Sequence, residues 1–492
     1  MALSKRQQTI DARLERETGT LHGRGRRAVA LVYPSPYRVG MASLGFQTVY
    51  RILNHLPDTA AERAFLPDDG DGFENVSGPL LTYETCRPVS DFGVVAFSVA
   101  YELELSGLLT CLKLAGIAPR RADRAPSDPW VIAGGPLTFS NPAPLAPFCD
   151  VVVMGEAEQL LEPLIDALHG GSTRAETLRE LASCPGYYVP SEHVAEIPAI
   201  ARCDDEELPA ASCIWTEESV LPNMFLVETE RGCSRGCTFC VMRRTTNGGM
   251  RIVPVDRVLA AIPDEAPRVG LVGAAVSDHP GLIDIVRGVV DAGREIGLSS
   301  LRSDRMTPEL VELLVRGGAR TLTVASDGAS ERLRRSLEKK IRERHLLAAA
   351  KLAGDAGIRH LKVYSMIGVP DETDDDLDEL IRFTLLQAEA AGPRTKIAIS
   401  LSPFVAKRNT PLDGAPFVGI REAERRIDKL RRGLQPRVDV SPVSARWAWV
   451  EYALAQGGPD TGLAAYDAWQ EGGSFAAWKR ALAKLGVTPD ST

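Results

Sequence analysis

Three cysteines, Cys233, Cys237 and Cys240, stand close together in the segment Glu230-Arg-Gly-Cys-Ser-Arg-Gly-Cys-Thr-Phe-Cys240. Their C-x3-C-x2-C spacing brings three thiols to one short loop. Thiolates suit soft metal centres, and an iron–sulfur cubane ordinarily takes four of them. Three leave one iron without a protein ligand, an open coordination position where substrate chemistry can occur. Gly232 and Gly236 allow the loop to wrap closely. A structural zinc needs a fourth ligand in tetrahedral geometry. Cys213 could be recruited for it, but no second C-x-x-C or H-x-x-H pair exists. The spacing favours iron–sulfur.

The elements that must carry this loop belong to a long chain. With 492 residues, two or three domains are expected, and 44% hydrophobic with 25% charged content is that of a globular protein. No apolar run is long enough to cross a bilayer, so no membrane role is expected. The start, Met1 to Arg27, is polar and includes Asp11, Glu15 and Glu17. It lacks the apolar stretch of a signal peptide and is too acidic for a transit peptide. Cysteines without paired spacing outside the loop point to a reducing compartment, so a cytoplasmic location is expected. The net charge of −8 gives no indication of nucleic-acid binding.

Residues 1–199 read as an open α/β sheet, with short buried strands at Ala28–Tyr33, Val94–Val99, Trp130–Ala133 and Val151–Met154, joined by helices. A doubly wound, Rossmann-like sheet follows, with ligands expected outside the carboxyl ends of the strands. The loops there hold Gly40, Ser98, Tyr101, Gly134, Gly135, Pro136, Gly155 and Glu156. Residues 200–223 read as an acidic linker. From 224 to 412 the alternation restarts with strands at Phe225–Glu228, Arg268–Val272, Ser299–Leu301, Thr321–Ala325, Leu361–Ile367 and Ile397–Ser400. Six such units predict a partial (β/α)6 barrel, with chemistry at the carboxyl ends of its strands. The cysteine loop directly follows the first of them. Residues 413–492 read as a small helical C-terminal region.

Together these segments resemble radical S-adenosylmethionine (SAM) proteins with an N-terminal cobalamin-binding-type domain, close to a largely uncharacterised bacterial subgroup. The matching stretches include Tyr33-Pro-Ser-Pro-Tyr-Arg-Val-Gly-Met41, Ile132-Ala-Gly-Gly-Pro136, Met154-Gly-Glu-Ala-Glu158, the cysteine loop, Ser277-Asp-His-Pro280 and Met366-Ile-Gly-Val-Pro370. The resemblance implies a 4Fe–4S cluster on Cys233, Cys237 and Cys240 that splits SAM reductively to a 5′-deoxyadenosyl radical. A low-potential donor, flavodoxin or ferredoxin, is implied as partner. For SAM it implies Phe239 against the adenine, Ser277 and Asp278 at the amino group, Asp327 at the ribose, Arg332 or Arg334 at the carboxylate, and Gly368 near the adenine. Asp327 stands where relatives tend to carry a glutamate.

Cobalamin is the further cofactor the resemblance implies. No D-x-H-x-x-G occurs, and His22, His55, His169 and His193 do not follow strand ends, so it would be held without a lower axial histidine. Its strand-end candidates are the eight loop residues from Gly40 to Glu156 named above. The expected reaction is methyl transfer to an unactivated carbon of an unknown substrate. Three alternatives stand beside it: a cobalamin-free radical rearrangement or cyclisation, a methylthiotransferase with a second cluster on Cys86, Cys111 and Cys149, and a non-catalytic sensor. The apolar neighbours of those three cysteines suit small core residues instead. Thr373 to Asp376 reads as a helix cap without chemistry.

Overall fold

The computed structural model describes residues 5–68, 78–194 and 196–489. Two compact units emerge. The first holds the described residues up to Phe225 together with Gly457–Gly486, and the second holds Leu226–Gln456 with the residues from Val487.

The first unit contains β1 (Glu17–Thr18), β2 (Arg27–Tyr33), β3 (Thr59–Phe65), β4 (Val94–Ser98), β5 (Trp130–Gly134), β6 (Val151–Val153), β7 (Tyr187–Tyr188) and β8 (Trp215–Thr216). Six of these form a sheet in the order β3-β2-β4-β5-β6-β7, parallel throughout except for β7. Both neighbours of β2 follow it in sequence, so the winding reverses between β2 and β4 and leaves a crevice at their carboxyl ends. Runs such as Val29–Tyr33 are buried because helices cover the sheet. The helix Leu44–His55 starts where Ser43 Oγ accepts the Phe46 N–H at 3.3 Å, and it buries Phe46, Tyr50 and Leu53.

β3 was not expected from the sequence, because Glu62 and Arg63 interrupt its apolar pattern. Arg63 is nevertheless fully buried. Its Nη2 meets Glu17 at 2.7 Å and its Nε meets Glu84 at 2.6 Å, so the charge is matched inside the core. Glu17 belongs to β1, which pairs with β8. The segment expected as a linker is therefore packed on the first unit, with the Cys213 and Ile214 N–H groups donating to Gln47 Oε1.

The helices after residue 412 divide between the units. Ile420–Leu434 and Ala445–Gln456 stay with the second, whereas Pro459–Gln470 and Phe475–Ala483 join the first. Trp469 Nε1 donates to Thr110 Oγ1 at 3.0 Å, and a Cβ on Gly462 would lie 2.2 Å from the Pro144 carbonyl oxygen. Only glycine permits that approach.

The second unit contains β9 (Met224–Glu228), β10 (Glu230–Arg231), β11 (Arg251–Ile252), β12 (Arg268–Val272), β13 (Glu295–Leu298), β14 (Thr321–Asp327), β15 (His360–Ile367), β16 (Lys396–Pro403) and β17 (Asp439–Pro442). Sheets β13-β12-β9 and β14-β15-β16-β17 are linked by a parallel bridge from Leu301 to Val324. The result is the expected partial barrel, extended by β17 as a seventh strand. β13 lies a few residues before the expected Ser299–Leu301, and Leu301 makes the bridge with its backbone N–H, which donates to the Thr323 carbonyl at 2.7 Å. Burial alternates along β14, β15 and β16, so one face packs on helices and the other, bearing Tyr364 and Ser400, stays partly open.

Candidate active site

The cysteine loop is closed at its base by the antiparallel ribbon of β10 and β11, with Glu230 opposite Ile252 and Arg231 opposite Arg251. Gly232 leaves the ribbon at φ 82°, and a Cβ there would lie 2.0 Å from the Gly249 carbonyl oxygen. Thr238 N–H donates to the Leu337 carbonyl at 3.1 Å and anchors the far side. The Arg235 N–H points at Cys233 Sγ at 3.4 Å, the kind of backbone donor that steadies a ligating sulfur. Burial pushes all three thiols up, Cys240 to about 11, while Lys339 and Arg302 draw Cys237 the other way. Thiols in this setting keep their protons until a metal replaces them.

These residues fit an iron–sulfur cluster: three thiols, a backbone donor to sulfur and nearby cations to offset the cluster's negative charge. Tetrahedral zinc fits less well, since thiolates at about 2.3 Å from zinc stand only about 3.8 Å apart. Among the described residues, the one trio of ligand atoms gathered within 4.8 Å is Glu156, Glu158 and Cys203. Cys213 is held within the first unit by Gln47. Cys111 and Cys149 are fully buried, and burial pushes the Cys149 thiol up to about 12. They are core residues of the first unit.

Asp278 sits in the loop that follows β12. Its carboxylate is gripped on both oxygens by Arg235, a residue of the cysteine loop, and also meets Arg305 Nε at 3.1 Å and Arg302 Nε at 4.0 Å. Burial would raise its pKa, but Arg235 and the other guanidinium groups hold it below the usual aspartate range. The side chain expected to bind an ammonium group is thus already committed to three arginines. Ser277 Oγ accepts the Arg302 N–H at 3.0 Å, tying the same loop to the end of the next unit.

The other SAM candidates have varied settings. Phe239 is half-buried in the loop between Cys237 and Cys240. Asp327 ends β14 at φ 62° in an ion pair with Lys339, which also acts on Cys237. Arg332 pairs with Asp376 and donates to the Asp371 carbonyl, while Arg334 is buried and donates to the Ile341 and Gly328 carbonyls. Both are engaged in holding their helix in place. Gly368 adopts φ 73°, and its missing side chain makes room for Val418 at 2.6 Å. Thr373 and Asp376 form the expected capping box.

In the first unit, the candidate residues line the carboxyl ends of β4, β5 and β6. Tyr101 is exposed there. Ser98 pairs with Gly134 in the sheet, and Pro136 opens the short helical turn that follows. Three of the four candidate glycines serve the chain itself, whereas a Cβ at Gly134 would meet only Val153 at an ordinary 3.4 Å. A Cβ at Gly40 would strike the Phe65 ring at 2.6 Å, at Gly135 the Val99 carbonyl at 2.7 Å, and at Gly155 the Ala201 carbonyl at 2.4 Å. Glu156 Oε2 accepts the Cys203 N–H at 2.9 Å. The crevice between β2 and β4 holds Glu104, which accepts from Ser35 Oγ at 3.0 Å and the Ala100 N–H at 2.6 Å. A cavity of about 560 Å³ in this unit lies at the opposite end, beside Gly93, Trp130 and Arg174, and none of the candidate residues lines it.

Sequence reasoning passed over Glu230. It is completely buried, and burial pushes its carboxyl up to about 8. Oε1 accepts the Ala275 N–H at 2.6 Å, whereas Oε2 has no hydrogen-bond partner among the described residues. Ser303 Oγ and Ser365 Oγ, near other strand ends of the barrel, are also buried without partners. Such orphaned groups are uncommon and mark places where a ligand can complete the bonding.

Two family models match adjacent stretches: radical SAM proteins, N-terminal, over residues 45–190, and the radical SAM superfamily over residues 227–384. An uncharacterised protein of Methanocaldococcus jannaschii is 26% identical over 400 residues, 79% of this chain and 80% of its own length. A protein of Pyrococcus horikoshii named an uncharacterised methyltransferase is 26% identical over 270 residues, 52% of this chain and 57% of its own. Among solved structures, the cobalamin-dependent SAM radical enzyme OxsB with aqua-cobalamin and SAM bound aligns with TM-score 0.51 at 14% identity, covering 94% of this chain and 70% of that one. Its structure with aqua-cobalamin alone gives TM-score 0.50 at 16% identity, and there the chain spans 73% of its own length and 52% of the OxsB chain. These two likenesses show the fold. The two family models together take in more than half of the 492 residues, with the cysteine loop inside the second: the chain belongs to the radical SAM superfamily.

Proposed function

We propose that this radical SAM enzyme is cobalamin-dependent and transfers a methyl group to an unactivated carbon. The observation that carries its radical chemistry is the ribbon-closed loop of three buried or half-buried thiols at the end of the first barrel strand. A 4Fe–4S cluster on Cys233, Cys237 and Cys240 would supply the electron for reductive SAM cleavage, and cobalamin a carrier for the methyl group. The chain's own part is to bind, orient and exclude water. Arg235 and Asp278 lock the cysteine loop to the loop after β12. Arg302 is paired with Asp304 at 2.9 Å, so Arg235, Arg302 and Arg305 outnumber Asp278 and Asp304 by one positive charge, which suits the SAM carboxylate. The reducing partner in this reading is a flavodoxin or ferredoxin.

Cobalamin is supported by the likeness to OxsB and the methyl transfer by the name of the Pyrococcus horikoshii relative. In the first unit, exposed Tyr101 and the switch-point crevice offer an edge for it. A cobalamin-free radical reaction is favoured by one contrary observation, that the space at Gly40, Gly135 and Gly155 is filled by the chain's own groups. Anaerobic incubation of the iron-loaded chain with hydroxocobalamin, followed by desalting, separates the two. The expected result is about one retained cobalt per chain in a base-off spectrum, with 5′-deoxyadenosine formed on reduction. SAM cleavage without retained cobalt would leave the cobalamin-free reading.

A further inference from the structure

We infer that Glu230 is a positioning residue whose buried carboxyl fixes the loop Gly273–Asp278 against the ribbon that launches the cysteine loop, and so sets SAM affinity. Its SAM-affinity part rests on the proposed function; the loop-fixing part does not. Two rungs join the loops. Glu230 Oε1 takes the Ala275 N–H at 2.6 Å, and five residues later Arg235 takes Asp278. Cys233 lies between the two anchors. The fit at the first rung is close: a Cβ on Gly273 would lie 2.1 Å from Glu230 Oε1, so any side chain there would displace the carboxyl.

The remaining oxygen, Oε2, is buried without a partner among the described residues. A carboxylate left this way would be costly, and a carboxylic acid much less so. Burial is the main reason its pKa rises to about 8, and the charged groups facing it add to the effect. These are Glu228 of β9, ion-paired with Arg231, and Asp278 of the following loop, ion-paired with Arg235 and Arg305; the Cys233 thiol also feels Glu230, which raises the thiol's pKa. At neutral pH, Glu230 therefore presents an O–H donor from Oε2 beside the loop that carries Ser277 and Asp278. A glutamine keeps an acceptor for Ala275 and a donor in place of that O–H; an alanine keeps neither.

The test compares full-length wild type, Glu230→Gln and Glu230→Ala. In the metal-free chain, amide exchange at Ala275 should be at least about tenfold faster in Glu230→Ala, as loss of its buried partner implies. In the iron-loaded chain with iron content unchanged, Glu230→Ala should weaken SAM binding about tenfold or more, and Glu230→Gln should restore it to within about twofold at neutral pH. Wild-type SAM affinity should fall above about pH 8, while Glu230→Gln stays level. Unchanged Ala275 exchange in Glu230→Ala overturns the positioning role, whatever the metal does. Glu230→Gln binding SAM as poorly as Glu230→Ala, or sharing the wild-type pH profile, overturns it as well. Should Glu230→Ala fail to fold, the Glu230→Gln pH profile decides alone. Failure of the wild type to take up iron would count against the cluster and leave the exchange result standing.

Discussion

Where β4, β5 and β6 end in the first unit, several groups pair within the chain: Glu104 is bonded to Ser35 and Ala100, Gly155 bridges to Ala201, and Thr138 Oγ1 takes the Gly155 N–H at 3.1 Å. Around the strand ends of the second unit, Glu230 Oε2, Ser303 Oγ and Ser365 Oγ are buried without partners among the described residues, and three thiols are held up by burial. Both sheets leave their carboxyl ends available for ligands by topology. What sets the second apart is the loop of three thiols. Strand ends whose groups pair within the chain can receive a ligand on their surface; a loop of three buried or half-buried thiols is built to hold one.

Gly232→Ala should break this comparison most severely. The substitution puts a Cβ against the Gly249 carbonyl at φ 82° and should cost at least about 3 kcal/mol locally. Iron uptake should be lost with it, as metal analysis after reconstitution will show. Gly155→Ala meets the Ala201 carbonyl at 2.4 Å and should cost about 2–3 kcal/mol, lowering Tm with iron per chain unchanged. An equal loss of iron in both variants would erase the distinction between the units.

A pH series sharpens it further. Glu230 has its pKa raised from 4.5 to about 8, so over that range the folded chain binds more protons than the unfolded one. Its contribution to stability must therefore fall as pH rises from 4.5 to about 8 and level off above that. Denaturant unfolding of Glu230→Gln should lack this slope, which in the wild type amounts to a loss of about 4 kcal/mol by pH 8. In the first unit, Glu104→Ala strands the Ala100 N–H and should cost about 1–3 kcal/mol in the metal-free chain, measured the same way. Ser365→Ala removes a hydroxyl that has no partner to lose. Metal-free stability should change by less than about 0.5 kcal/mol, or rise. A clear loss of metal-free stability would mean that Ser365 is satisfied internally.

Much of this was legible in the sequence because it rests on local signals. The cysteine spacing, Gly232 at the mouth of the loop and the apolar strands such as Val29–Tyr33 need no distant partner to be recognised. What stayed hidden depends on contacts between residues far apart in sequence. β3 was missed because Arg63 looks exposed until Glu17 and Glu84 enclose it. Asp278 looked like a free carboxylate because the grip of Arg235 comes from 43 residues away. Glu230 looked ordinary for the same reason; Gly273, whose missing Cβ admits its carboxyl, was the available signal. The strand-end glycines were read as room for a cofactor, and at Gly40, Gly135 and Gly155 they make room for Phe65, Val99 and Ala201.

Iron per chain after anaerobic reconstitution tests the central claim most directly, with wild type set beside the variant carrying Cys233→Ala, Cys237→Ala and Cys240→Ala. About four irons are expected in the wild type and close to none in the variant, together with loss of 5′-deoxyadenosine formation. Zinc in place of iron in the wild type, or iron retained by the variant, would contradict it.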